Sequence, residues 1–333
     1  MGRKKKKNNL KNLLLTLLIL IILIVLNHFG MIEKIDDLLA QTGLVEHFEE
    51  IKKSNTVTTG TVKTNTKIIS SVSENIAIQQ DKLNVIFFKV GQADCELIIA
   101  NGKTMLIDAG NNNDGEEIVN ALNGLGISKL DYVIGTHIHE DHIGGMSYIV
   151  DSFEIGKFYL PYNTTSTSSY YKKLLTSLVN KNMTIEQAEV GDKFNLGNAS
   201  CEIMAVRNDE PENINEESIV IELTYGSQKF LFMGDAEETN EKLRTWNDVN
   251  VLKVGHHGSN TSSSEEFLNQ VLPEIAIISV GEGNSYGLPK ENILKRFEEI
   301  GSSIYRTDED GTIQIISDGE KNEVIKIDLS FDG

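Results

Sequence analysis

The chain has 333 residues, room for one large domain plus an appendage or for two domains, and 40% hydrophobic content allows a substantial core. It carries 31 Lys and Arg against 49 Asp and Glu, and six of the basic residues fall in the first eleven positions. The acidic remainder has no general attraction for a phosphate backbone, which leaves any nucleic-acid contact to a local groove.

Residues 3–7 are all basic, and residues 13–26 are apolar apart from Thr16. With the weaker tail to Ile32 the stretch reaches about 20 residues, the length that spans a bilayer. A cleaved signal peptide is the rival, but Asn27-His28-Phe29-Gly30 offers no small-x-small cleavage site. Residues 1–32 are therefore read as a basic cytoplasmic flank and an uncleaved transmembrane signal anchor, which makes the protein single-pass in the cell membrane with its body extracytoplasmic. Residues 33–80 follow as a helical stalk and a Ser/Thr-rich linker, and the folded domain is expected over 81–333. The two cysteines, Cys95 and Cys201, match no zinc or redox spacing; each lies in an apolar run and is read as a buried free thiol.

Periodicity predicts strands at 83–89, 96–100, 104–107 and 130–134, and later at 157–160, 200–206, 218–224, 229–233, 251–254, 275–280, 303–306, 312–316 and 324–329. Helices are expected at 115–125, 140–150, 170–181, 237–246, 264–272 and 290–300. A strand-rich first third followed by alternating strands and helices predicts an α/β (α+β) fold, with two sheets and helices on the outside.

Three loops hold the chemistry. The strand at 130–134 ends at Gly135 and feeds Thr136-His137-Ile138-His139-Glu140-Asp141-His142, which contains three of the seven histidines. His137 and His139 are two apart and project to one side of an extended backbone, whereas Asp141 and His142 enter a helical turn. One segment thus feeds two metal ions, imidazoles to one and carboxylate plus imidazole to the other; zinc takes such ligands at roughly 2.0–2.2 Å. The strand at 229–233 delivers Asp235, which taken alone also reads as a helix cap. The strand at 251–254 delivers His256 and His257 to a glycine-flanked loop. Neighbours on an extended chain point oppositely, so one histidine is expected to ligate and the other to meet substrate.

The pieces FFKVGQADCELI, LIDAG, THIHEDHIGG, FLFMGDAE and VLKVGHHGSNTSSSEEFL, together with ISVGEGNSYGLP and YRTDEDGTIQI, resemble the metallo-β-lactamase superfamily. Within it they resemble the C-terminal metallo-β-lactamase-like domain of the competence protein ComEC, over about residues 83–316. The resemblance implies an αββα sandwich with a dinuclear site of divalent transition metals, zinc first and manganese second. It places His137 and His139 on one ion and Asp141, His142 and His257 on the other, with Asp235 bridging. Asp141 and His256 are the expected catalytic residues, and Asp108 is expected to orient a ligand histidine. The implied activity is a membrane-anchored, extracytoplasmic phosphodiesterase acting through a metal-activated hydroxide on DNA or on a wall polymer such as teichoic acid. A hydrolase of another ester class (lactonase or thioesterase) and a binding protein with a degenerate site stand as alternatives. Three departures bear on them: Ala93 replaces a glycine of the family turn, Asn215-Glu216-Glu217-Ser218 stands where the family has Asn-Asn-x-Ser, and Leu288-Pro289 replaces a His-Pro near the C-terminal edge.

Overall fold

The computed structural model describes residues 76–161, 166–209 and 211–329. Among them, strands β1 (Leu83–Phe87), β2 (Glu96–Ala100), β3 (Lys103–Ile107), β4 (Lys129–Ile134), β5 (Glu154–Leu160) and β6 (Ile185–Gln187) run through the first sheet. The second holds β7 (Lys193–Leu196), β8 (Ala199–Ala205), β9 (Val220–Tyr225), β10 (Gln228–Phe232), β11 (Val251–Lys253), β12 (Ile275–Ile278) and β13 (Ser303–Arg306). The chain then returns to the first sheet with β14 (Thr312–Ser317) and β15 (Asn322–Ile327). The orders are β15-β14-β1-β2-β3-β4-β5-β6 and β13-β12-β11-β10-β9-β8-β7.

Each sheet changes character along its width. Strands β3 to β6 are parallel, as are β10 to β13, while the other pairings are antiparallel. Parallel neighbours need a crossover long enough to return the chain, which a helix supplies. The crossovers are α1 (Gly115–Gly124), α2 (Glu140–Ile143) with α3 (Met146–Ser152), α4 (Ser169–Asn180), α5 (Glu238–Glu241), α6 (Glu265–Val271) and α7 (Glu291–Glu299); α8 (Thr307–Asp310) links β13 to β14.

Burial by alternation makes four layers. On β1, Val85 and Phe87 face the second sheet, while Ile86 and the following Phe88 face the helices α1, α3 and α4. On β10, Phe230 and Phe232 face inward, while Leu231 and the following Met233 pack against α6 and α7. Strands buried on both faces read as continuous apolar runs, so these segments are legible as strands without alternation. The result is a mixed α/β sandwich with two sheets inside. Truncating an inward aromatic such as Phe232 would cost about 3–5 kcal/mol.

Three details differ from expectation. The helix expected over 140–150 is broken into α2 and α3 at Gly144-Gly145, where a Cβ on Gly145 would overlap the Ala109 carbonyl. The helix expected over 237–246 ends at Glu241, because Trp246 folds back into the core and its indole Nε1 donates to Glu241 O at 2.6 Å. The short strands β6 and β7 carry too few residues for a periodic signal.

No helix among the described residues is long and apolar enough to cross a membrane. The expected anchor over 1–32 lies outside the described residues, as does residues 33–75 of the expected stalk and linker. Of the last five positions of that linker, Ile76 is buried in the core and Ala77 O accepts a hydrogen bond from Gln314 Nε2 at 3.0 Å.

Candidate metal centre

The site residues hang on loops that leave the C-terminal ends of parallel strands: Asp108 after β3, His137 to His142 after β4, Asp235 after β10, and His256 and His257 after β11. Open α/β sheets gather ligands at that end, where helix starts and loops converge. Here the two sheets bring their loops together along one edge of the sandwich.

Asp235 is the centre of the arrangement. Its Oδ1 lies 3.2 Å from His142 Nε2 and 3.6 Å from His257 Nε2, and its Oδ2 lies 3.8 Å from His137 Nε2. Asp141 Oδ2 stands 3.4 Å from His257 Nε2 and 4.0 Å from His142 Nε2. His139 Nδ1 lies 3.0 Å from His137 Nε2. Two sets result, Asp141–His142–Asp235–His257 and His137–His139–Asp235, and in each the ligand atoms fall within 4.8 Å of one another. Tetrahedral ligands about a zinc ion at roughly 2.1 Å stand about 3.4 Å apart, which these spacings match.

The donor atoms themselves pass a second test. His142 Nε2, His257 Nε2 and Asp235 Oδ1 are buried and have no hydrogen-bond partner within the protein. Buried polar atoms without a partner are costly, and three converging on one point are explained by a shared cation. The electrostatics agree. Burial opposes ionisation of Asp235, yet His142 and His257 hold its carboxyl well below the usual range. Burial also opposes a charge on His257, but Asp235 and Asp94 outweigh it and raise the imidazole to about 10. Asp141 is held at about 2: burial would raise it, but His142 and His257 prevail. Burial pushes the His137 and His139 imidazoles below their usual range, so the carboxylates favour positive charge only at His142 and His257.

The opposite ring nitrogens are held by neighbours. Asp108, buried and in a left-handed conformation with φ 55°, places Oδ2 2.7 Å from His142 Nδ1. The same carboxylate accepts from Thr136 N and Thr136 Oγ1, each at 2.8 Å. His257 Nδ1 faces Ser279 O at 2.8 Å and Asp94 Oδ1 at 3.3 Å. Ser218 Oγ accepts from Asp235 N at 3.1 Å and lies 3.4 Å from His137 Nδ1. Partners of this kind fix a metal-binding imidazole in one tautomer and orientation. Asp94, Ser218 and Ser279 are not identifiable from spacing, because each meets its histidine only through the folded chain.

His256 and His257 do not sit on an extended chain. Both are left-handed, with φ 48° and 51°, so their divergence comes from a tight turn rather than from strand alternation. His257 is buried; His256 is about a quarter exposed, with its Nδ1 3.2 Å from Glu237 Oε1 and its Nε2 3.7 Å from Asp235 Oδ2. Glu237 in turn accepts from Asn213 and Asn215. Such backbone conformations cost about 1–2 kcal/mol per residue and collect at functional sites.

A cavity of about 320 Å³ opens onto the cluster, with Gln92, Glu140, Asn215, Tyr286 and Leu288 around the ligand residues and His256. No lysine or arginine lines it among the described residues.

Comparison with known proteins yields a match between residues 88–282 and the family model described as the metallo-beta-lactamase superfamily. The chain is 30% identical over 205 residues to "ComE operon protein 3" of Bacillus subtilis, covering 60% of this chain and 26% of that protein. It is 31% identical over 233 residues to "Recombination protein 2" of Haemophilus influenzae, covering 68% of this chain and 28% of that protein. The chain thus spans about a quarter of the length of these relatives. Among solved structures, the metallo-beta-lactamase fold protein YhfI from Bacillus subtilis aligns with a TM-score of 0.46 at 12% identity, covering 68% of this chain and 96% of that one.

Proposed function

Because the chain belongs to the metallo-β-lactamase superfamily, we propose that it is a metal-dependent hydrolase that cleaves phosphodiesters, tethered outside the cell by residues 1–32. The observation that carries the reading is the division of Asp235 between two sets of ligand atoms, Oδ1 toward His142 and His257 and Oδ2 toward His137. Two divalent ions bound there would supply Lewis acidity and a water of lowered pKa, the chemistry suited to in-line displacement at phosphorus.

The chain's own residues do the rest. His137, His139 and Asp235 would hold one ion, and Asp141, His142, His257 and Asp235 the other. Asp108 keeps the His142 proton on Nδ1, and Ser279 and Asp94 keep that of His257 on Nδ1. His256, about a quarter exposed beside the cavity and braced by Glu237, is placed to meet a substrate oxygen. Asp141, about a third exposed at its side chain, faces the cavity beside His139, Asp235 and His257. Tyr286 and Leu288 shape the mouth, and Leu288 occupies the position where the family resemblance expects histidine.

The relative from Haemophilus influenzae, named a recombination protein, favours DNA as the substrate. A second reading, a neutral ester such as a lactone or thioester, is favoured because no lysine or arginine among the described residues lines the cavity, and a polyanion gains from cationic contacts. A wall phosphodiester such as teichoic acid, cut outside the membrane, lies between the two. The test is one panel on the full-length chain loaded with Zn²⁺ or Mn²⁺: single-stranded DNA, a generic phosphodiester, a phosphorylcholine ester, a lactone and a β-lactam. Turnover of either of the first two supports the proposal. Turnover of the lactone alone would replace it with the second reading, and metal uptake without any turnover would leave a binding protein.

The anchor is supported by the basic residues 3–7 beside the apolar run 13–26. A chain that stays in the membrane pellet through a high-salt wash with its N-terminus intact supports it. A mature N-terminus beyond residue 27 would establish a cleaved signal peptide.

A further inference from the structure

Strand β11 turns an apolar side chain and then a lysine toward the space between the sheets, just before the site. Val251 points into the core between the sheets and Leu252 points out to the helices, so alternation turns Lys253 inward as well. Its side chain is 1% exposed. A buried ammonium is tolerated only when paired and hydrogen-bonded. Lys253 Nζ donates to Asp94 Oδ2 at 2.6 Å and to Val254 O at 3.3 Å, and Glu96 Oε1 lies 4.0 Å away. Glu96 stands too far off to accept a hydrogen bond, so Asp94 is the carboxylate in direct contact with the lysine.

Asp94 reaches three of the residues assigned to one metal position. Its backbone N donates to Asp141 O at 3.0 Å, its Oδ1 lies 3.3 Å from His257 Nδ1, and its Oδ2 lies 4.0 Å from His142 Nδ1. That last nitrogen already belongs to Asp108 at 2.7 Å. The lysine therefore has a directional effect. By engaging Oδ2 it keeps that oxygen from competing with Asp108 for His142, and it leaves Oδ1 facing His257.

We propose that Lys253 is a positioning residue for the metal position formed by Asp141, His142 and His257, and that it acts through Asp94. This rests on reading the cluster as a metal centre. The competing account is a plain ion pair that joins the two sheets and contributes only to stability.

The two accounts separate in metal binding. The full-length chain, stripped with a chelator, is titrated with Zn²⁺ against a chromophoric competitor, and the melting temperature of each metal-free form is measured alongside. The wild type should take up two ions. Lys253→Met should weaken one of them by about 10-fold, the low end of the loss when a ligand's direct partner is removed, and leave the other unchanged.

Lys253→Met strands a buried carboxylate and can fail to fold, so a paired variant, Asp94→Asn with Lys253→Met, carries the comparison. Replacing both members of a buried pair often leaves stability intact. It should melt near the wild type and bind the weakened ion no worse than Asp94→Asn alone, because Lys253 acts only through Asp94. A paired variant that recovers both wild-type affinities would overturn the proposal in favour of the ion pair, as would equal weakening of both ions. In either case the two ions of the wild type leave the metal-centre reading standing. A wild-type chain that takes up no ion would bring down both.

Discussion

Asp108 Oδ2 lies 2.7 Å from His142 Nδ1, and the aspartate holds that position from a left-handed backbone with φ 55°. Asparagine tolerates this conformation better than other side chains. Asp108→Asn therefore removes the charge without disturbing the turn. Zinc affinity measured by chelator competition should fall by about 10–100-fold at one of two sites. An unchanged affinity would mean that Thr136 is the partner that matters to Asp108.

Asp235 serves both ligand sets, whereas His139 serves one. Elemental analysis of Asp235→Ala should find both metals lost or nearly so. His139→Ala should retain close to one. Equal losses in the two variants would show a single shared site rather than two.

His257 is buried among the ligand atoms, and His256 faces the cavity. His257→Ala should lose one ion and most activity with it. His256→Ala should keep both ions and lower kcat on a phosphodiester by about 10²–10⁴-fold, as for other general acid–base groups. The reverse pattern would exchange their roles, and full activity in both would leave the turn without a chemical part.

Gly145 has an ordinary φ of −83°, but a Cβ there would meet the Ala109 carbonyl and the backbone of Gly115. Backbone cannot move aside as a side chain does. Gly145→Ala should cost about 1–3 kcal/mol in a urea melt, the range for overpacking. A melt unchanged within error would show that α3 shifts freely.

The site was legible because its atoms are chemically rare: five of the seven histidines fall in two short loops, each after an apolar run. The central strands were legible for a related reason, since burial on both faces leaves nothing polar to confuse them. What escaped was set by distance in sequence. Asp94 meets Lys253 across 159 positions, and no local pattern announces the pairing. One signal was present, a lysine inside the apolar run 251–254, where a charge must find a partner. The breaks at Gly145 and Trp246 depended on what packs against those residues, which periodicity does not report.

The ligand sets straddle the seam of the sandwich. His137, His139, Asp141 and His142 ride on the first sheet, and Asp235 and His257 on the second. Neither half holds a whole site, so metal capture reports that the halves have docked in register. A ligand that binds only the assembled form adds about 4.1 kcal/mol of stability at a thousand times its Kd. Metal supply would then act as a quality check on the finished fold, and a misassembled chain would be distinguished by its inability to keep the ions.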